Sequence, residues 1–356
     1  MRRRVRLLSA CLLLATASAA AVTALVSQVS ASSQRLAQSV VSVPVPAAGR
    51  LVNTSHPTHV IGHGTAASCS SAAVVAAVRL GGVIRFSCGP NPVTIRMDAT
   101  AKVKNTSSRV VLDGGGLVTL SGEGRRRILY LDTCDPKQVW TTPHCQDQAT
   151  PSLVVQNLSF TDGNSTGEDF DGGGGGAIFD RGGRLRIVDS NFTDNRCERD
   201  GPDLGGAAVR ALSQYNNLPV YVVGSSFTGN ACSNGAALSS IGVSWTVLNS
   251  SFVDNRAVGN GANPAQSGTP GGGSGGAIYN DGDQMTLTVG GCVFTANHAN
   301  EGGGAIFFVS DNRTGTMVIR HSQLNDNPNK GFQTAGLAGI FFLGAHRPTI
   351  SDSVLR

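Results

Sequence analysis

From about residue 150 onward the chain carries short stretches in which apolar residues take every second position: Leu185 and Ile187, Val220 and Val222, Trp245 and Val247, Leu287 and Val289, Met317 and Ile319. A period of two marks strands with one buried face, and no 3.6-residue periodicity competes with it. Each stretch runs into the word Phe-x-x-Asn, and a loop of variable length then leads to Gly-Gly-Ala-Ile or a near copy. The clearest copy is Phe252 and Asn255 with Gly275 to Ile278. Phe192 and Asn195 with Gly205 to Ala208, and Phe294 and Asn297 with Gly303 to Ile306, follow the same order. Looser copies are Phe227 and Asn230 with Gly235 to Leu238, and Leu324 and Asn327 with Gly339 and Ile340.

Taking the Phe position as register gives Phe160, Phe192, Phe227, Phe252, Phe294, Leu324 and Val354. The step varies from 25 residues (Phe227 to Phe252) to 42 (Phe252 to Phe294), nearly all of the variation falling between the Asn and the glycines. A repeat of this kind decides the fold before any single residue does. Short strands joined end to end predict an all-β chain: a single-stranded parallel β-helix of about eight rungs. Each rung supplies one Phe to an internal stack. The asparagines are placed at the following turn, in a left-handed backbone conformation, bonding their neighbours one rung away. The glycine pair bends the chain.

Before the repeats, Ser70 or Ser71 caps a short helix running through Leu80, which Gly81 and Gly82 stop. Such a helix covers the first rung of a solenoid, whose end otherwise exposes core side chains and strand edges. The cap is set at 65–90, the β-helix at 65–356 and its clearest repeats at 152–356. Residues 32–64 show no sustained period and read as a linker or disordered lead. His56, His59 and His63 within that stretch are read as no metal site. Pro348 to Leu355 reads as one more strand segment.

Composition sharpens this picture. The 356 residues include 46 glycines and only 5% aromatics, unlike an ordinary globular core but compatible with thin stacked coils. Charged residues make up 14%, and the net charge of +5 is carried in part by Arg2, Arg3, Arg4 and Arg6, which gives no support to a nucleic-acid partner. Residues 1–31 join that basic start to an apolar run and a small-residue exit, the pattern of a signal peptide. The run from Leu7 to Val26 is also long enough to remain as an anchor. The expected location is secreted or at the cell surface, with no membrane span in the mature chain.

Cysteine usage agrees with export. Three close pairs suggest disulfides: Cys69 with Cys88, Cys134 with Cys145, and Cys197 with Cys232. Cys197 and Cys232 each lie two residues after a repeat asparagine, so stacked rungs place them about 4.8 Å apart, within reach of a bond. Setting aside Cys11 in the leader, Cys292 is left over of the eight cysteines.

The paired words resemble the repeats of chlamydial polymorphic membrane proteins, which occur more widely in secreted bacterial β-helix proteins of the pectin-lyase-like superfamily. The resemblance spans roughly Ser152 to Ala345. It implies a right-handed β-helix outside the cell, with adhesion or surface interaction as its role.

Chemistry has to live between the words. A polysaccharide lyase requires carboxylates to hold Ca²⁺ against an acidic sugar and a basic residue to take a proton. Asp169, Asp171, Arg199, Asp200 and Asp203, on two successive loops, are the candidate catalytic residues for a lyase or hydrolase, and Ca²⁺ is called for under that alternative alone. Asp180, Arg210 and Asn280 read as one column two residues beyond the glycine word, which together with Tyr279 lines a carbohydrate groove or faces water. The favoured function is a non-catalytic scaffold binding a polysaccharide or a cell-surface protein along one face, with no cofactor.

Overall fold

The computed structural model describes residues 40–168 and 172–356. The expected signal peptide, and the lead up to residue 39, lie outside the described residues. Residues 42–356 form one compact unit, a parallel β-helix.

Each coil lays down three main strands, and three coils add a two-residue strand after the asparagine, Ala231–Cys232, Arg256–Ala257 and His298–Ala299. In one coil these are Trp245–Leu248, Ser251–Val253 and Ile278–Gly282. In the next they are Thr286–Gly290, Val293–Thr295 and Ile306–Ser310. Corresponding strands pair in parallel, so three columns of strands run the length of the unit. The third column, which begins at the glycine words, is an eight-stranded sheet with one strand from each complete coil.

The register is that of the Phe words. Phe160, Phe192, Phe227, Phe252 and Phe294 pair in succession and continue into Leu324. Their rings stack with centroids 5.0, 4.8, 4.9 and 4.5 Å apart and planes within 5° of parallel. All five are fully buried, each contributing roughly 1.5–3 kcal/mol of apolar burial. The next member of the column is Leu355, not Val354. Leu324 pairs with Leu355, whereas Val354 pairs with Gln323 and is exposed. A slip of one residue turns a strand side chain to the opposite face. The same correction applies to the second glycine word. Val209 pairs with Ile178 and Leu238, so the word in register is Gly206 to Val209, one residue on from Gly205 to Ala208.

The asparagines form a buried ladder. Nδ2 of Asn195 donates to Oδ1 of Asn230 at 2.9 Å, and Asn230 to Asn255, Asn255 to Asn297 and Asn297 to Asn327 each at 2.8 Å. Each also donates to the backbone carbonyl of a Phe in a preceding coil, as Asn255 does to Phe227 at 3.0 Å. The left-handed residue is the one before the asparagine: Asp194, Gly229, Asp254, Ala296 and Asp326 have φ of 54°, 67°, 54°, 56° and 53°. That residue makes the turn, and the buried asparagine after it bonds to its neighbours in the adjacent coils.

A second ladder runs between the first and second columns. The N–H of Ser190 donates to Oγ of Ser225, Ser225 to Ser250, and Ser322 to Ser353. Cys292 occupies a serine position in it: its N–H donates to Oγ of Ser322 at 3.0 Å, and its thiol reaches the Gly290 carbonyl as the serines reach theirs. This accounts for the one unpaired cysteine among the described residues, whose thiol burial pushes up to about 12. A thiol reagent should therefore leave Cys292 unmodified in the native chain and modify it in denaturant, as read by peptide mass mapping. Cys292→Ser should keep stability within ~1 kcal/mol of the parent.

Helix α1, Ser71–Leu80, covers the first coil. The Ser70 hydroxyl accepts the Ala73 N–H, and Gly81, with φ of 78°, ends the helix. Val74, Ala77 and Val78 join the main core, and Cys69–Cys88, with Cα atoms 5.7 Å apart, ties the cap to the first coil. Cys134–Cys145 closes an irregular insertion, and Cys197–Cys232 joins adjacent coils with Cα atoms 4.8 Å apart.

The described part of the expected linker is ordered structure. His59–Ile61 is a strand pairing with Gly82–Phe86. Residues 43–54 form a strap across the outer face of the first column. Asn249 holds the Val43 backbone through two hydrogen bonds of 2.8 and 2.9 Å, Gln156 holds Val52 at 2.9 and 3.0 Å, and Thr54 donates to Asp113 at 2.5 Å. The reason is apolar surface facing outward: Val43 packs on Val188, Val223 and Leu248, and Val52 on Val83, Val111 and Val154. A segment without periodicity of its own is fixed by covering that stripe.

Candidate functional site

The third column presents two lines of side chains. Ala211, Ser240, Asn280 and Phe308 share register with Asp180 and face the coil interior. Phe179, Arg210, Ser239, Tyr279, Phe307 and Phe341 form the alternate, outward line. Asp180, Arg210 and Asn280 are therefore not one column, because the slip in the second glycine word had moved Arg210 into the wrong line. None of these, nor Tyr279, meets water: Asp180, Tyr279 and Asn280 are fully buried and Arg210 is 1% exposed. The loops between the Asn and Gly words fold over the outward line.

Arginines hold those loops in place. Arg127 is 1% exposed, stacks over Phe179 with 4.6 Å to the ring centroid, donates to the Gly174 and Gly175 carbonyls, and pairs with Glu168 at 3.1 Å. Arg210 donates to Ser239 at 2.6 Å and to the Asp203 carbonyl. Further along, the Asn234 amide donates to the carbonyls of Gly201, Pro202 and Leu204, and the Gly201 N–H donates to the Gly271 carbonyl. Glycine-rich loops from different coils are thus bonded to each other.

Where they part, a cleft opens in two adjoining hollows of about 560 and 470 Å³. Asp203, Asp281 and Asp311 line both. The larger adds Arg181, Arg210 and Gln146, and the smaller adds Asn263, Pro264, Phe307, Phe332 and Phe341. Phe332 meets Phe341 edge to face, with centroids 4.8 Å apart at 81°, and both rings are part-exposed. Phe341 stacks in turn on Phe307, and Phe307 on Tyr279.

A polar knot lies at the meeting of the two hollows. Nδ2 of Asn263 faces Asp203 Oδ1 at 3.0 Å, the Tyr279 hydroxyl at 2.6 Å and Asp281 Oδ2 at 3.1 Å, and the Tyr279 hydroxyl donates to Asp281 at 2.9 Å. Burial and the Asp281 and Asp203 carboxylates push the Tyr279 phenol well above its usual range. Burial, with Asp311 and Asp203 nearby, raises Asp281. The field in this part of the cleft is negative.

Of the expected catalytic residues, Asp203 reaches the cleft. Arg199 and Asp200 are exposed on the loop before it and line neither hollow. Asp169 and Asp171 lie outside the described residues. Asp281, Asp311, Asn263, Phe332 and Phe341 were not singled out from the sequence. Asp281 directly follows the candidates Tyr279 and Asn280, and its place at the strand's exit carries it out of the covered line and into the cleft. Among the described residues no group of three or more His, Cys, Asp or Glu side chains is placed to hold a metal ion, His56, His59 and His63 included. Among the same residues no helix is long and apolar enough to cross a membrane.

The Chlamydia polymorphic membrane protein (Chlamydia_PMP) repeat matches residues 291–309, a segment holding Phe294, Asn297 and the glycine word Gly303 to Ile306. The chain is similar to that family over this one repeat. No curated protein and no solved structure matches the chain.

Proposed function

We propose that this chain is an exported, pectin-lyase-like β-helix scaffold for surface interaction, and that it binds a glycan, without chemical turnover, in the cleft beside the third column. The observation that carries this reading is the pairing of two part-exposed rings, Phe332 and Phe341, with the carboxylates of Asp203, Asp281 and Asp311 around one hollow. Flat apolar rings with a few polar groups are what a sugar ring, apolar on its faces and hydroxylated at its edge, requires. Three disulfides and the basic-apolar leader support export, and the repeat similarity supports a surface role.

The non-catalytic reading rests on the polar knot. Asp203 and Asp281 are bridged by the single Asn263 amide, so the bonding oxygens lie no more than about 6 Å apart, with that amide between them. The amide sits in the space a scissile bond would need and takes one oxygen of each carboxylate.

Binding to a panel of polysaccharides tests this reading. At least one glycan should bind, and Phe341→Ala should weaken that binding roughly tenfold. Shortening of a polysaccharide by the protein, or appearance of unsaturated uronate ends, would overturn the non-catalytic part.

A further inference from the structure

Resting on the glycan-binding reading, we propose that the glycan taken by the smaller hollow is cationic: an oligomer of amino sugars whose protonated amine is held among Asp203, Asp281 and Asp311 while the ring lies against Phe332 and Phe341. Three carboxylates and three phenylalanines line this hollow, and among the described residues no Lys, Arg or His does. Arg181 belongs to the neighbouring hollow, and Arg210 is bonded to Ser239 and to the Asp203 carbonyl.

The balance of donors and acceptors points the same way. The donors at the knot, Asn263 Nδ2 and the Tyr279 hydroxyl, are turned onto Asp203 and Asp281. What the hollow still offers a ligand is carboxylate and amide oxygen, with Asp311 exposed at its rim. An acceptor-rich, donor-poor site matches ammonium and hydroxyl groups, which donate, and rejects a sugar carboxylate, which only accepts. Aromatic faces add attraction for a cation and none for an anion. Burial first, and the neighbouring carboxylates after it, raise Asp281 and Tyr279, and a bound cation relieves the part that comes from the carboxylates. The chain as a whole carries +5, so attraction of a polycation has to come from this site and not from net charge.

Calorimetric titration of the whole chain with three oligomers tests this: β-1,4-linked glucosamine, its fully N-acetylated counterpart, and oligogalacturonate. Glucosamine oligomer should bind, the acetylated oligomer roughly tenfold more weakly, and oligogalacturonate least. Added salt should weaken the first selectively. Asp311→Asn, an exposed site that leaves folding intact, should weaken glucosamine binding severalfold without changing the acetylated oligomer, and Phe341→Ala should weaken both. Equal or tighter binding of the acetylated or acidic oligomer, sensitive to Phe341→Ala, would overturn the cationic assignment and leave the glycan site standing. Glucosamine binding that ignores both substitutions would overturn the assignment as surface attraction. If none of the three, and no member of the wider polysaccharide panel, binds, the glycan reading itself fails.

Discussion

Replacing Asn255 by alanine should destabilise the unit by about 4 kcal/mol, because it strands buried donors inside the coil. Oδ1 of Asn255 accepts both the N–H and the Nδ2 of Asn230, at 3.3 and 2.8 Å, and its own Nδ2 serves Asn297 and the Phe227 carbonyl. Alanine leaves two Asn230 hydrogens, that of its N–H and one of the two on Nδ2, without a partner where no water reaches, each costing about 1–3 kcal/mol. Asn191→Ala is the control. That asparagine also bonds along the stack, to Ser159 and Ser226, but on the exposed face, and its loss should cost at most about 0.5 kcal/mol. Urea denaturation of the two variants reads the difference, and equal midpoints would show that the ladder is not what holds the coils in register.

Asp180 supplies the second large effect, through pH. It is wholly buried, with the Gln214 amide donating to one oxygen, and burial, with Asp132 nearby, pushes its carboxyl up to about 7 from 3.8. A folded-state value above the unfolded one means that the folded chain binds the proton more tightly. Stability is therefore fullest below about pH 4, declines as pH rises from there to about 7, and is lowest above. The whole change has an upper bound on the order of 4 kcal/mol. Asp180→Asn, which cannot ionise, should raise the unfolding midpoint at pH 8 and flatten the profile between pH 4 and 7. A variant less stable than the parent at pH 8, with the slope unchanged, would mean that Asp180 stays ionised and paired in the folded chain.

What was legible in the sequence is what repeats within one coil. The Phe and Asn positions, the helix cap at Ser70 and Gly81, and the Cys197–Cys232 pair each follow from local spacing, because stacking turns equal places in the repeat into neighbours. The strap was not legible, since the residues it covers, Val188, Val223 and Leu248, look like breaks in the alternation until the register is known. The cleft was not legible either, because its contacts join loops of different coils, as Asn263 does with Asp203 sixty residues away. Tyr279 and Asn280 were singled out as facing water or a groove because a lone strand with one buried face turns the other outward. Here Asn280 points into the coil, and the loops cover Tyr279.

The repeat thus builds a frame, and the variable loops between its words build the one cleft assigned a function. Hydrogen–deuterium exchange with and without glucosamine oligomer tests that division most directly. The account predicts new protection confined to the loops at Asp203 and Asn263, the strand exits at Asp281 and Asp311, and the segment from Phe332 to Phe341. Protection centred instead on the strap and the outer face of the first column would contradict it.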